Sequence, residues 1–119
     1  MNNIQLGVVE AKFADIIWQN EPVTSTQLVK ECEKQLGWKK STTFTVLKRL
    51  CEKKLFINNG GMVTSLISKK DFYVMQSNRF VEESFSGSLP GFLAAFTANK
   101  KLKQEDIAYL KKLIEEHGE

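Results

Sequence analysis

The sequence predicts a mostly α-helical fold carrying one small β-hairpin. Three observations lead there. Apolar residues recur at helical spacing in successive segments separated by Pro, Gly and Asn. One pair of short strand-like runs flanks Asn58-Asn59-Gly60-Gly61, whose residue types tolerate the positive φ of a tight turn. The surplus of positive over negative charge is confined to one short helix-like segment.

The first helix is expected from about Val8 to Gln19, with Val9, Phe13, Ile16 and Ile17 on one face. Asn20-Glu21-Pro22 ends it, because proline cannot continue the hydrogen-bond ladder. Thr24 then has the character of an N-cap, with Gln27 three residues on completing a capping box. The second helix places Leu28, Val29, Cys32 and Leu36 together, and Gly37 breaks it.

The basic helix follows Trp38. Between Gly37 and Lys54, the cations Lys39, Lys40, Lys48, Arg49, Lys53 and Lys54 face Glu52 alone, a local net +5. The whole chain carries only +3. Thr43, Val46, Leu47 and Leu50 form the apolar stripe, at i, i+3, i+4 and i+7. The opposite face holds Ser41, Phe44, Thr45 and Lys48, flanked by Thr42 and Arg49. Hydroxyls reach base edges and cations reach phosphate oxygens, so this face has the composition of a nucleic-acid reader. Lys39, Lys40, Ser41, Thr42, Phe44, Thr45, Lys48 and Arg49 are the candidate DNA contacts. Two of them carry a second reading: Arg49 could brace the fold through an internal ion pair, and Phe44 could meet a thymine methyl or fold back on Trp38. Trp38 itself reads as core packing where the second and third helices meet.

Leu55-Phe56-Ile57 and Met62–Ile67 are the two strands of the hairpin. Helix, helix, basic helix, hairpin is the order of a winged helix-turn-helix, here residues 1–67. Residues 68–119 read as three short helices forming a second domain. The first starts at Ser68-Lys69-Lys70-Asp71 and carries Phe72, Met75, Phe80, Val81 and Phe85. Ser88 with Pro90 opens the next, bearing Leu89, Phe92, Leu93 and Phe96. The last runs from about Gln104 to Glu116 with Ile107, Leu110, Leu113 and Ile114 inward. Some fifty residues bury such a set poorly alone. A second copy would cover it, so Phe72, Phe80, Phe85, Leu89, Phe92, Leu93, Phe96, Ile107, Leu110 and Leu113 are the expected homodimer contacts.

Several classes are disfavoured. No apolar run approaches a membrane span, and the first residues lack the pattern of a secretory signal, so a cytoplasmic location is expected. Cys32 and Cys51 have no ligand spacing and read as buried thiols; no metal and no cofactor is expected. No catalytic constellation or phosphate-binding glycine loop is present, so no catalytic residue is assigned.

Taken in order, Ile16-Ile17-Trp18, Pro22-Val23-Thr24, Gly37-Trp38 and then Thr42, Thr45, Leu47, Arg49 and Leu50 resemble the penicillinase-repressor family (the BlaI/MecI group, with the copper-responsive CopY repressors as relatives). The tail resembles it too, through Phe80, Phe85-Ser86-Gly87-Ser88, Leu93-Ala94-Ala95-Phe96 and Glu105-Asp106-Ile107 to Leu110. The resemblance implies a homodimer that binds a dyad-symmetric double-stranded DNA operator and represses transcription. In the best-known members an antibiotic-sensing membrane protease system leads to cleavage of the repressor's tail, so an inducing protease is among the implied partners, and a β-lactam response among the implied settings.

The chain also departs from the pattern. Lys39-Lys40 stand where the family often has Ser-Pro, which suggests a later helix start with Ser41 as cap. Phe44 replaces a polar or basic residue, which implies a different operator. Leu55 replaces the usual glycine, and the wing is short, with no basic residue between Leu55 and Ser68. Ala95-Phe96 stands where the family's cleavage site has Asn-Phe, and the cysteine-rich motif of the copper-responsive branch is missing. The neutral wing and Phe44 keep a second reading open: a winged-helix protein-interaction module that has lost DNA binding.

Overall fold

The structure, a computed structural model, describes residues 4–119. In chain order it contains α1 (Val8–Asn20), β1 (Val23–Thr24), α2 (Ser25–Leu36), α3 (Lys40–Glu52), β2 (Phe56–Asn59), β3 (Met62–Ser65), α4 (Lys69–Phe85), α5 (Leu89–Thr97) and α6 (Gln104–His117). This is a mostly α fold with three helices and a small antiparallel sheet, followed by three more helices. Its contacts divide it into two compact units, one ending at Gln76 and the other Ser77–Glu119.

The first unit is built around one apolar core. α1 supplies Phe13, Ala14, Ile16 and Ile17, all buried. Val9, expected on the same stripe, is exposed; the buried face begins one turn later, at Phe13. Thr24 Oγ1 accepts from the Gln27 amide at 3.1 Å, and the Gln27 side chain accepts from the Thr24 amide at 3.2 Å, the reciprocal capping box at the start of α2. α2 buries Leu28 and Cys32. Gly37 closes it in the left-handed conformation, φ +67°, while the Trp38 amide donates back to the Cys32 carbonyl. Trp38 is half-buried and stacks on Phe13 of α1, with ring centroids 5.4 Å apart. It is therefore a packing residue, though its partner lies on the first helix.

The sheet has the order β1-β3-β2. Asn59 pairs with Met62, which leaves Gly60 and Gly61 as a two-residue loop with φ of +60° and +93°. Positive φ at both central residues is the hairpin turn whose twist matches that of the strands. The Asn58 side chain also accepts from the Gly61 amide at 3.0 Å. The third strand, β1, was not foreseen: it is two residues long, paired Val23 to Val63 and Thr24 to Met62, and too short to show a period. The expected return strand to Ile67 stops at Ser65, because the Leu66 and Ile67 amides both turn to the Leu55 carbonyl. Period-two alternation puts Phe56 and Val63 in the core and leaves Ile57 and Met62 exposed on the outer face.

The first unit extends past residue 67, the boundary the sequence suggested. Phe72, in the first turns of α4, is buried beside Trp18 at 5.6 Å. The Trp18 indole N–H donates to the Ile67 carbonyl at 3.1 Å, and Lys69 pairs with Asp15 at 2.6 Å. The division thus falls inside α4. Its start follows the expected cap, with the Asp71 amide donating to Ser68 Oγ at 3.1 Å.

The second unit has no fully buried side chain among the described residues. A run of aromatics holds it, Phe80 to Phe92 at 6.0 Å, Phe85 to Phe92 at 5.5 Å and Phe92 to Phe96 at 5.9 Å. Gly87, φ +80°, makes the turn into α5, where Ser88 Oγ accepts from the Gly91 amide. No helix among the described residues is long and apolar enough to cross a membrane.

Candidate nucleic-acid interface

α3 is fixed by the stripe that the sequence marks. Thr43, Val46, Leu47 and Leu50 are all buried, Leu50 completely. Burying a leucine side chain is worth roughly 1.5–3 kcal/mol, so the rotation of α3 about its axis is strongly set. The opposite face is thereby forced outward: Lys39, Lys40, Ser41, Thr42, Phe44, Thr45, Lys48 and Arg49 are all exposed.

The start of α3 differs from expectation. Lys39, not Ser41, is the N-cap, and no side chain caps the helix there. Ser41 lies inside the first turn, where its carbonyl accepts from Thr45 Oγ1 at 2.9 Å. Two lysines therefore stand at the positive end of the helix, and there is no acidic residue in the first turn to offset them. That placement is unfavourable for an isolated helix and favourable for one that meets an anion there.

The cations fall into two groups. Arg49 Nη1 lies 3.3 Å from Glu10 Oε2, and Lys53 Nζ lies 3.8 Å from Glu10 Oε1. Lys53 also donates to the Gln5 carbonyl at 3.0 Å. The Gly7 amide donates to Glu10 Oε1 at 3.1 Å. This amide, with Arg49 and Lys53, holds the Glu10 carboxyl below its usual value despite the opposing effect of burial. Arg49 and Lys53 thus tie α3 to the start of α1. Lys39, Lys40 and Lys48 form no ion pair among the described residues and are the outward-facing cations.

The hydroxyls also separate. The Thr45 proton is donated internally to Ser41, so its oxygen is left as an acceptor. Thr43 is buried, its hydroxyl turned to the Lys39 carbonyl at 3.4 Å. Phe44 does not lie against the Trp38–Phe13 stack; its ring stands exposed with Lys40 Nζ 6.0 Å from its centroid. Beyond α3, Lys54 has φ +66° and occupies the left-handed position at the junction to β2, while Leu55 is buried.

The expected dimer contacts are distributed over both units. Phe72 belongs to the core of the first. In the second, Phe80, Leu89 and Phe96 are each at least half exposed, and Phe85, Phe92, Leu93, Ile107, Leu110 and Leu113 are half-buried. Ile114, expected inward, is 64% exposed. A cleft of about 330 Å³ lies between α5 and α6, lined by Phe92, Leu93, Phe96, Leu102, Asp106, Tyr109 and Leu110. Leu102 and Tyr109 were not singled out from the sequence; Leu102 lies in a linker and Tyr109 off the predicted stripe. Cys32 is buried and its thiol is pushed up to about 11 by burial, which suits an inert packing residue.

A helix held by one apolar stripe, presenting cations and hydroxyls from a winged helix-turn-helix, defines the class of DNA-binding transcription regulators. The family model for penicillinase repressors matches residues 6–116, and the chain belongs to that family. A penicillinase repressor of Bacillus licheniformis is 28% identical over 95% of this chain and 91% of its own length. The methicillin resistance regulatory protein MecI of Staphylococcus aureus (strain Mu50 / ATCC 700699) is 24% identical over 92% of this chain and 93% of its own. A penicillinase repressor of Staphylococcus aureus is 21% identical over 93% and 91%.

Proposed function

We propose that this chain is a homodimeric, sequence-specific transcriptional repressor that lays α3 in the major groove of a dyad-symmetric operator. The carrying observation is the separation of faces on α3: a buried stripe fixes the helix, and Lys39, Lys40, Thr42, Thr45 and Lys48 remain outward. Lys39, Lys40 and Lys48 neutralise phosphates; Thr42 and Thr45 face the bases. The homodimer reading is supported by the exposed Phe80, Leu89 and Phe96 in a unit with no fully buried side chain. A second copy on that face would bring two α3 helices to two half-sites. Given the names of the relatives, genes of a β-lactam resistance response are the proposed targets. The proposed location is the cytoplasm. The Ala95–Phe96 bond lies inside α5, with both residues exposed.

The test is a titration of the full chain against random duplex DNA at two salt concentrations, with its mass measured by sedimentation. A dimer whose affinity falls steeply with salt is expected, because each neutralised phosphate releases a counterion. The second reading, a protein-interaction module, is favoured by the uncharged outer wing face with Ile57 and Met62 exposed. It predicts no salt-dependent DNA binding.

A further inference from the structure

Phe44 takes no part in the apolar core. It lies on the outward face of α3, 36% exposed, beside Ser41, Thr45 and Lys48 and away from the buried stripe. A phenylalanine there adds nothing to the core and has poorer helix propensity than alanine. One turn before it, Lys40 places its ammonium 6.0 Å from the ring centroid. A cation over the ring steadies the aromatic side chain on the reading face and stands ready for a phosphate.

The surroundings narrow what the ring can meet. Major-groove base edges present nitrogen and oxygen donors and acceptors, with a single apolar group, the C5-methyl of thymine. A ring held among hydroxyls and cations would desolvate any other base edge without pairing it. Thr45, next along the chain, has its hydroxyl proton engaged by the Ser41 carbonyl, so that side chain offers the groove an acceptor only.

We propose that Phe44 is a specificity residue that reads the C5-methyl of a thymine in each half-site, with Lys40 as its positioning neighbour. This rests on the DNA-binding function proposed above. Sequence preference at that pair then comes from apolar contact, and adenine, guanine and cytosine are disfavoured because none of them carries the methyl group.

The experiment uses the full chain and duplexes recovered with it from a random DNA pool. Each thymine is replaced in turn by deoxyuridine, which removes only the methyl group. One thymine per half-site should show about fourfold weaker binding on this exchange, the worth of one buried methyl-sized group. Phe44→Ala should weaken binding to the thymine duplex by a similar factor and abolish the effect of the exchange. Phe44→Leu, which keeps apolar surface, should retain part of it. Unchanged affinity for every deoxyuridine duplex overturns the proposal while leaving DNA binding intact, and so does full deoxyuridine sensitivity in Phe44→Ala. A full chain that binds no duplex overturns the repressor function and this proposal together.

Discussion

Replacing Arg49 by alanine separates two roles that a cation on α3 can play. Its guanidinium lies 3.3 Å from Glu10, and the two side chains are 53% and 18% exposed. A pair this open to water is worth roughly 0.2–1 kcal/mol. Glu10 keeps its Gly7 amide and Lys53 in the variant, so little is left unsatisfied. A loss of about 0.5–1 kcal/mol lowers Tm by about 2–8 °C for a unit of this size. Glu10→Gln should cost a similar amount, since glutamine still accepts from Gly7 but no longer attracts either cation. The double variant should lose less than the two single losses combined. Thermal melts at low salt read the stability change, and it should shrink at about 1 M salt, where the screening length is about 3 Å. DNA titrations on the same proteins should show the salt slope of Arg49→Ala within about half a unit of the parent. An unchanged Tm with a slope reduced by a full unit would make Arg49 a phosphate ligand and refute the bracing role.

Three other changes test neighbouring parts. Lys48→Ala should weaken binding about equally across DNA sequences and reduce the salt slope by about one, as for the loss of one phosphate contact; loss confined to one operator sequence would make Lys48 a base reader. Phe72→Ala should destabilise the first unit by about 3–5 kcal/mol, measured by urea melts followed through tryptophan fluorescence, with the sedimentation mass unchanged. Lys54→Gly should stabilise by about 0.5–1 kcal/mol, because an L-residue at φ +66° carries left-handed strain that glycine lacks; a fall in Tm would show that the Lys54 side chain matters more. Glu10 also sets a pH dependence. Its folded value lies below the usual 4.5, so its contribution is complete above that pH and is lost as pH falls through the lowered value. Acid melts of Glu10→Gln should lack that component.

The legible parts of the fold were those coded locally. The i, i+3, i+4, i+7 spacing of Thr43, Val46, Leu47 and Leu50 fixed which face of α3 is inward. Thr24 with Gln27 and the Asn-Gly turn carry their hydrogen-bonding logic within four residues. What stayed hidden depends on distant partners. Arg49 meets Glu10 across 39 positions, and β1 exists only because β3 comes beside it. Phe72 lies on the same helix as Phe80 and Phe85, and nothing in that run of sequence says that the first ring enters one core while the others lie in another unit. The Ser41 cap failed because Lys39 takes the extended backbone position two residues earlier, without any side-chain hydrogen bond to announce it. For the outward face of α3, the sequence supplied the candidates, and the geometry divided them into cations without an ion pair among the described residues, bracing cations and a threonine whose proton is already engaged.

The most direct measurement is selection of duplexes from a random DNA pool by the full chain, followed by alignment of the enriched sequences. Two α3 helices related by a two-fold axis should enrich an inverted repeat, with half-site centres separated by about 10 base pairs or a multiple of that turn. Enrichment of an unpaired half-site, or none above the starting pool, would contradict a dimeric operator-binding repressor.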